Sequence, residues 1–478
     1  MPSDHRQTEI IRTGSMHRLY FSLTLPAAFS LLVLGLYHFL DGIFIGQWVN
    51  PEALGAVGLV YPFTLVNNGI FMLIGIGSAS LLSRAIGSKD QRTIDSIFGN
   101  LLLLNIILSG VQVFIGLMWA EQIVAYLGGE GPMLEYGTRY LRIIVLGSPF
   151  INFASSANVL IRGEGRMRSA MLIMSSGAIL NLVLDPIFLG VFGLGVGGAA
   201  FATALSQGVT AGLTIIYFLR GHSVVKIAPS RFRFSRHIGE ILGVGVSGMA
   251  LPVMTIVQIV FVIKSTAFYG GTRELIVISA LIKILNFIFV PIWGACQGFQ
   301  PMVGINYGAG DYKRVRRGFF VFVFYTSLIA LAVWILIMGA PKLVLGWFIT
   351  DASIVESGVR VIRLYLCDFP LYGYMLLVVT LFQALGKGGH AAFLVVSRMS
   401  LFFIPIILLL PRVLGIDGVW LATPVSDGLV IIAGTVMAVR ELRRQRVLEQ
   451  ESAGQDLTPG ELVVSPDFSE PAEVFPDV

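Results

Sequence analysis

The sequence predicts an all-α polytopic membrane protein: twelve transmembrane helices in two six-helix lobes around a central cleft. Three observations carry this. Hydrophobic residues make up 55% of the 478 residues and charged residues only 13%, too few charges to cover a soluble protein of this size. Mean hydropathy is +0.81, and apolar runs long enough to cross a bilayer recur along the chain. The second half of the chain repeats the first. A transmembrane barrel would show short alternating segments instead, so the spans are helices, whose backbone groups are satisfied internally.

Taken in order, the apolar runs cover residues 18–46, 53–79, 94–119, 137–161, 168–190, 195–219, 240–266, 274–300, 316–339, 358–384, 390–411 and 416–438. The first run has no small-residue cleavage site after a short apolar core, so it is read as a retained span rather than a signal peptide. Residues 440–448 are basic. Residues 449–478 hold eight acidic residues, four prolines and no Lys or Arg, a composition expected of a disordered tail.

The net charge of +5 does not point to nucleic acid, because the basic residues fall in short loops between apolar runs. Counted by side, 23 Lys and Arg lie at one membrane face and 7 at the other. The positive-inside rule then puts both termini in the cytoplasm, with the chain in the plasma (inner) membrane. Cys296 and Cys367 are too few for a disulfide framework or a structural zinc site.

The repeat is legible at two places. "GIGSASLLSRAIGSKDQR" (75–92) lies over "CQGFQPMVGINYGAGDYK" (296–313), and "GVGGAAFATALSQ" (195–207) lies over "GIDGVWLATPVSD" (415–427). Leu25-Pro26 likewise matches Leu251-Pro252. Each copy has an even number of spans, so both enter the membrane in the same sense, as in carriers whose halves are related by an axis along the membrane normal. The expected division is a first lobe over 1–219, a basic linker over 220–237, a second lobe over 238–439 and the tail over 440–478.

A carboxylate inside a span costs about 2.5–3.5 kcal/mol at the helix centre, so it usually faces protein or a water-filled cavity and serves a function. "YHFLDGIFIG" (37–46) and "NLVLDPIFLG" (181–190) each hold one, Asp41 and Asp185. Both spans run in the same direction, and each aspartate lies five residues before its closing glycine, which puts the two at similar depth. Tyr37 and Asn181 lie one turn below them on the same helix face. Asn158, Asn152, Thr203 and Gln207 are further polar candidates. Oxygen-rich sites of this kind suit a proton or a small hard cation. Alternatives stand beside this: Asp185-Pro186 as a helix end with a capping aspartate, and Asp41-Gly42 as a helix-end device.

Pro26 interrupts the first span as Pro252 does the seventh, either as a hinge or as a static kink. At the repeat offsets Asp41 meets Ala267 and Asp185 meets Pro405, so ion handling is expected in the first lobe. For the second lobe we count Lys264, Lys283, Arg398 and one acid, Asp368. Lys283 and Asp368, with Gln207, are candidate cleft-lining residues.

On "QGFQPMVGINYGAGDYKRV" (297–315), "NLVLDPIFLGVFGLGVGGAAFATALSQ" (181–207) and Leu25-Pro26, residues 1–440 resemble the multidrug and toxic compound extrusion (MATE) family, closest to its prokaryotic DinF-like branches. The resemblance implies an exporter that exchanges a proton or Na⁺ for an organic, often cationic and aromatic, substrate. It implies a cation site of Tyr37, Asp41, Asn158, Asn181, Asp185 and Thr203, with Na⁺ held at Asp41, Asn181, Asp185 and Thr203, and a bend at Pro26. Branches with a glutamate in the seventh span are not matched, since the polar residues there are Gln258 and Lys264. The expected partners are a small organic substrate and the lipid bilayer, with no nucleic acid, no resident cofactor and a monomeric state. The second reading is export or flipping of an anionic metabolite or lipid-linked precursor. An enzyme is not expected: no HExxH, no GxSxG and no histidine cluster occurs within the spans.

Overall fold

The structure, a computed structural model, describes residues 2–221, 223–227 and 234–452. The helices in chain order are α1 (Pro2–Thr13), α2 (Met16–Trp48), α3 (Pro51–Ser88), α4 (Gln91–Met118), α5 (Ala120–Tyr126), α6 (Gly131–Gly163), α7 (Met167–Asp185), α8 (Gly195–Leu219), α9 (Ile238–Tyr269), α10 (Thr272–Ile288), α11 (Val290–Gly308), α12 (Tyr312–Gly339), α13 (Pro341–Gly346), α14 (Ala352–Tyr365), α15 (Phe369–Ala384), α16 (Gly388–Ser397), α17 (Ile404–Leu414) and α18 (Ile416–Ser452). Eleven stretches are long and apolar enough to cross a membrane. A twelfth is the pair α14 and α15, bent by 43° at Leu366–Asp368. Phe114, Leu172 and Leu336 stand exposed on the bundle surface, as lipid-facing side chains do. This is a multi-pass membrane protein.

The internal repeat reappears as backbone geometry. Asp90 and Asp311 cap α4 and α12, each accepting from backbone N–H groups of the first turn, which satisfies donors that a helix start leaves free. The residues before them, Lys89 and Gly310, are both left-handed, at φ 58° and 75°. Gly165 and Gly386 form a second such pair at 80° and 78°, and Gly195 and Gly415 a third at 58° and 60°. Turns matched at three places in each half locate the duplication in three dimensions.

α7 and α16 both continue into a π-helical turn, over Pro186–Val191 and Arg398–Phe403. In the first, Phe192 N–H reaches back to Ile187; in the second, Ile404 N–H reaches back to Met399. Each is an i−5 bond. Such a turn widens the helix locally and re-aims its side chains, and it is frequent at functional sites.

The halves meet along α3 with α9 and α11, and along α2 with α11. The close approaches lie toward the end that carries the basic loops. A Cβ on Gly77 would stand 1.9 Å from the Ile241 carbonyl oxygen, and one on Gly245 1.8 Å from that of Leu73. A Cβ on Gly294 would stand 2.7 Å from Ala28 and one on Gly298 3.0 Å from Leu23, both on α2 beside Pro26. Arg84 pairs with Glu240 at 2.6 Å across this seam, and Gln300 donates to the Ile76 carbonyl at 3.3 Å. α1 lies across it as well. Gln7 donates to the Gly165 carbonyl at 3.2 Å in the first half, and Arg314 of the second half donates twice to the Ile11 carbonyl, at 3.0 and 2.9 Å.

Two sequence expectations change here. Residues 440–452 continue α18 as helix rather than beginning a disordered tail; residues 453–478 lie outside the described residues, as do 222 and 228–233 of the linker. Arg162, counted above as a loop charge, is buried in α6. It donates to Gln297 across the seam, and at 3.5 Å to Ser30 of α2 in its own lobe.

Candidate functional site

The acid pair forms as the two rhyming segments suggest. α2 runs on without interruption to Trp48, so Asp41 lies inside the helix and not at its end. Asp185 is the last residue of α7 before Pro186 opens the π turn, and its side chain makes no capping bond. The helix-end readings of both aspartates therefore fall away. The two carboxyl groups lie within hydrogen-bonding reach of one another. Asp185 is fully buried. Oδ1 of Asp41 and Oδ1 of Asp185 are both buried without a partner. Two carboxylates this close cannot both keep their charge unless a proton or cation joins them.

Neighbouring polar groups complete the cluster. Oriented so that both ends of its amide are satisfied, Asn181 donates to Asp185 Oδ2 at 3.1 Å and accepts from Thr203 N–H at 3.2 Å. Asn181 thereby ties α7 to α8 one turn below the aspartate. Tyr37 is buried, lies tilted by 34° against the His38 ring with centroids 4.0 Å apart, and is within electrostatic range of both aspartates. Tyr140 of α6 is also buried and within electrostatic range of both aspartates. Tyr140 was not found from the sequence, where it sits between Arg139 and Arg142 and looks like an interfacial tyrosine.

Asn158 is not brought to this cluster. Its amide donates to the carbonyl of Ala170 at 2.8 Å. Ala170 is fifteen residues before Asp185 on the same helix, a distance of about 22 Å at helical rise. Asn152 bonds Ser109 and Gln112 of α4 at 2.9 and 3.1 Å, also away from the acids. Gln207 keeps a buried Oε1 without a partner one turn beyond Thr203. Lys264 and Lys283 are exposed. Pro26 lies on α2 where α11 packs closest, so a bend there would act on the seam.

The second lobe holds a polar centre that the sequence count missed in part. Asp368 is not its one acid: Asp427 of α18 is buried at 1% exposure and meets Arg398 in a two-pronged pair, Nε to Oδ1 at 2.6 Å and Nη2 to Oδ2 at 2.9 Å. The guanidinium lies over the Tyr372 ring, 5.4 Å from its centroid. Gln258 of α9 donates to Thr423 at 3.1 Å. Asp368, in the break between α14 and α15, lies within hydrogen-bonding reach of Asp427, and its Oδ2 is buried without a partner. Aligning "FATALSQ" (201–207) with "LATPVSD" (421–427) already pairs Asp427 with Gln207, and that signal was available. Among the described residues, no cluster of three or more His, Cys, Asp or Glu could hold a metal ion.

A duplicated helical bundle, sealed at one end and carrying unpaired acids in its membrane interior, defines a membrane carrier and not an enzyme. The MatE family profile matches residues 26–187 and 245–409, one segment in each lobe, and the chain belongs to this family. It is 25% identical over 432 residues to the multidrug export protein MepA of Staphylococcus aureus (strain N315), covering 90% of this chain and 94% of that one. To MepA of Staphylococcus saprophyticus it is 27% identical over 443 residues, covering 91% and 94%. Among solved structures, a MATE family multidrug resistance transporter in an outward-facing conformation superposes with a TM-score of 0.86 at 26% identity, over 92% of this chain and 98% of that one. A MATE transporter in a bent conformation gives 0.86 at 27% identity, over 94% and 99%.

Proposed function

We propose that this chain is a secondary active exporter that exchanges an entering H⁺ or Na⁺ for a small organic compound, cationic and aromatic in character, by alternating access. The observation that carries the reading is the Asp41–Asp185 pair, two adjoining acids with unpartnered oxygens, in a family whose relatives above are multidrug export proteins. With the basic loops and both termini on the cytoplasmic side of the inner membrane, the closed seam seals the inner end and this conformation faces outward. An ion entering from outside neutralises the acid pair. A proton would bridge Asp41 and Asp185; Na⁺ would take oxygens from both, with Asn181 and Thr203. The loaded first lobe then loses its attraction for a cationic substrate, which leaves. Bending of α2 at Pro26 carries the change to the seam, and the lobes part on the inner side. There the ion is released and the acids recover their charge for the next substrate. Opposite affinities in the two states are all that antiport needs.

The test is efflux from proteoliposomes with Na⁺ and pH gradients imposed separately. Wild type should respond to at least one gradient, and Asp41→Asn and Asp185→Asn should each abolish the response. Full gradient-driven efflux in both variants overturns the mechanism. Export of an anionic or lipid-linked compound, which exposed Lys264 and Lys283 would favour, would show as transport of anionic and not cationic probes.

A further inference from the structure

The two lobes carry the same polar framework with opposite solutions to its charge. Thr203 and Thr423 are repeat-related, as are Gln207 and Asp427 one turn further on. Each lobe has a π turn in the corresponding membrane helix, next to Asp185 in one and beginning at Arg398 in the other. Each lobe holds two acids within hydrogen-bonding reach, Asp41 with Asp185 and Asp368 with Asp427. Among the described residues no Lys or Arg forms an ion pair with either acid of the first lobe. In the second, Arg398 engages both oxygens of Asp427.

We propose that Arg398 is a tethered cation that fills the second lobe's counterpart of the ion site, and so confines ion coupling to the first lobe. The reasoning is electrostatic. A guanidinium inside a membrane bundle is costly unless its donors and its charge are matched. Asp427 matches both in the two-pronged geometry that Arg favours, and the Tyr372 face covers the remaining side of the group. The pair closes on itself, so one negative charge of the second lobe is balanced permanently. No ion from solution has to enter for that charge to be buried. In the first lobe no Lys or Arg among the described residues plays that part, and the balancing charge must come and go. Arg398 is thus a specificity-determining residue for ion stoichiometry. This rests on the first-lobe reading above only in the claim of where coupling lies; the role of Arg398 is tested separately.

The experiment counts ions taken up by purified protein, using a pH indicator for protons and ²²Na⁺ at fixed pH for sodium. Arg398→Gln leaves two facing acids without a cation, and it should take up about one more proton or Na⁺ per chain than wild type. Arg398→Lys keeps the charge and should match wild type. Arg398→Gln with Asp427→Asn removes charge and acid together and should return to the wild-type count. Uptake by Arg398→Gln equal to that of wild type overturns the proposal. Asp41→Asn with Asp185→Asn leaves Arg398 untouched, so it serves even where Arg398→Gln fails to fold. That protein should lose ion uptake, and retained uptake at the second lobe would overturn the proposal. If instead wild type takes up no ion while Arg398→Gln still gains one, the first-lobe reading fails and the role of Arg398 stands.

Discussion

Gly87 and Gly308 face one another across the seam between the lobes. A Cβ on Gly87 would stand 2.1 Å from the carbonyl oxygen of Ile305, and one on Gly308 would stand 2.0 Å from that of Arg84. The two residues are also partners in the internal repeat, so the pseudo-twofold relation of the lobes passes between them. Each lobe presents to the other the one residue type whose backbone can come so near.

This contact sets the first prediction. A methyl group at either position meets backbone oxygen, which cannot turn aside as a flexible side chain would. Gly308→Ala should therefore disfavour the sealed seam and shift the lobes toward opening at the basic-loop end. Spin labels at Arg92 and Lys313, both exposed, should show a longer inter-lobe distance in the variant than in wild type. An unchanged distance distribution would mean that the seam absorbs the methyl without parting.

Much of this architecture is legible in the sequence, because the membrane imposes it. Apolar length marks the spans, and the repeat "GSKD" and "GAGD" marks the matching turns. Asp41 and Asp185 stand out because a carboxylate in an apolar run has few reasons to be there. What escapes is what depends on direction across the bundle. Asn158 and Asn181 look alike in sequence, yet one bonds Ala170 and the other Asp185. Arg162 lies one residue from a loop and looks solvated, but the opposite lobe covers it and supplies Gln297. Asp427 sits inside the apolar run 416–438, but its bond to Arg398 joins two helices and shows only once they are packed together. The docking of α1 through Ile11 and Gln7 has no sequence signature, since it is made by backbone carbonyls.

The two asparagines give the second prediction. Asn181→Ala removes an amide that joins Asp185 to Thr203. It should weaken binding of the proposed coupling ion by about tenfold, the value of one hydrogen bond to a charged group at roughly 1.5 kcal/mol. Asn158→Ala breaks a bond to the Ala170 carbonyl far from the acids. It should lower thermal stability by about 1–2 kcal/mol and leave ion affinity unchanged. Ion titration of the two purified variants separates them; equal loss of affinity in both would place Asn158 in the ion site after all.

The third prediction concerns pH and lies outside the membrane. Glu164 follows α6, and its side chain is fully buried. Burial pushes its carboxyl up from 4.5 to about 7; hydrogen bonds from Ser223 and Tyr217 and the Arg166 guanidinium, 3.8 Å away, offset part of that effect. Ser223 belongs to the linker between the lobes, and its hydroxyl also accepts from Val225 N–H at 3.0 Å, so Glu164 anchors the start of that linker. The folded protein holds this proton more tightly than the unfolded chain does. Its contribution to stability is fully present below pH 4.5, declines as the pH rises through that value, and is gone once the pH passes about 7. The difference between the two limits is on the order of 3 kcal/mol. Glu164→Gln keeps an acceptor for Ser223 and has no proton to lose. Thermal unfolding of wild type across this window should show a midpoint that falls as pH rises, and the Gln variant should flatten that slope. A variant with the same slope as wild type would show that the pH dependence arises elsewhere.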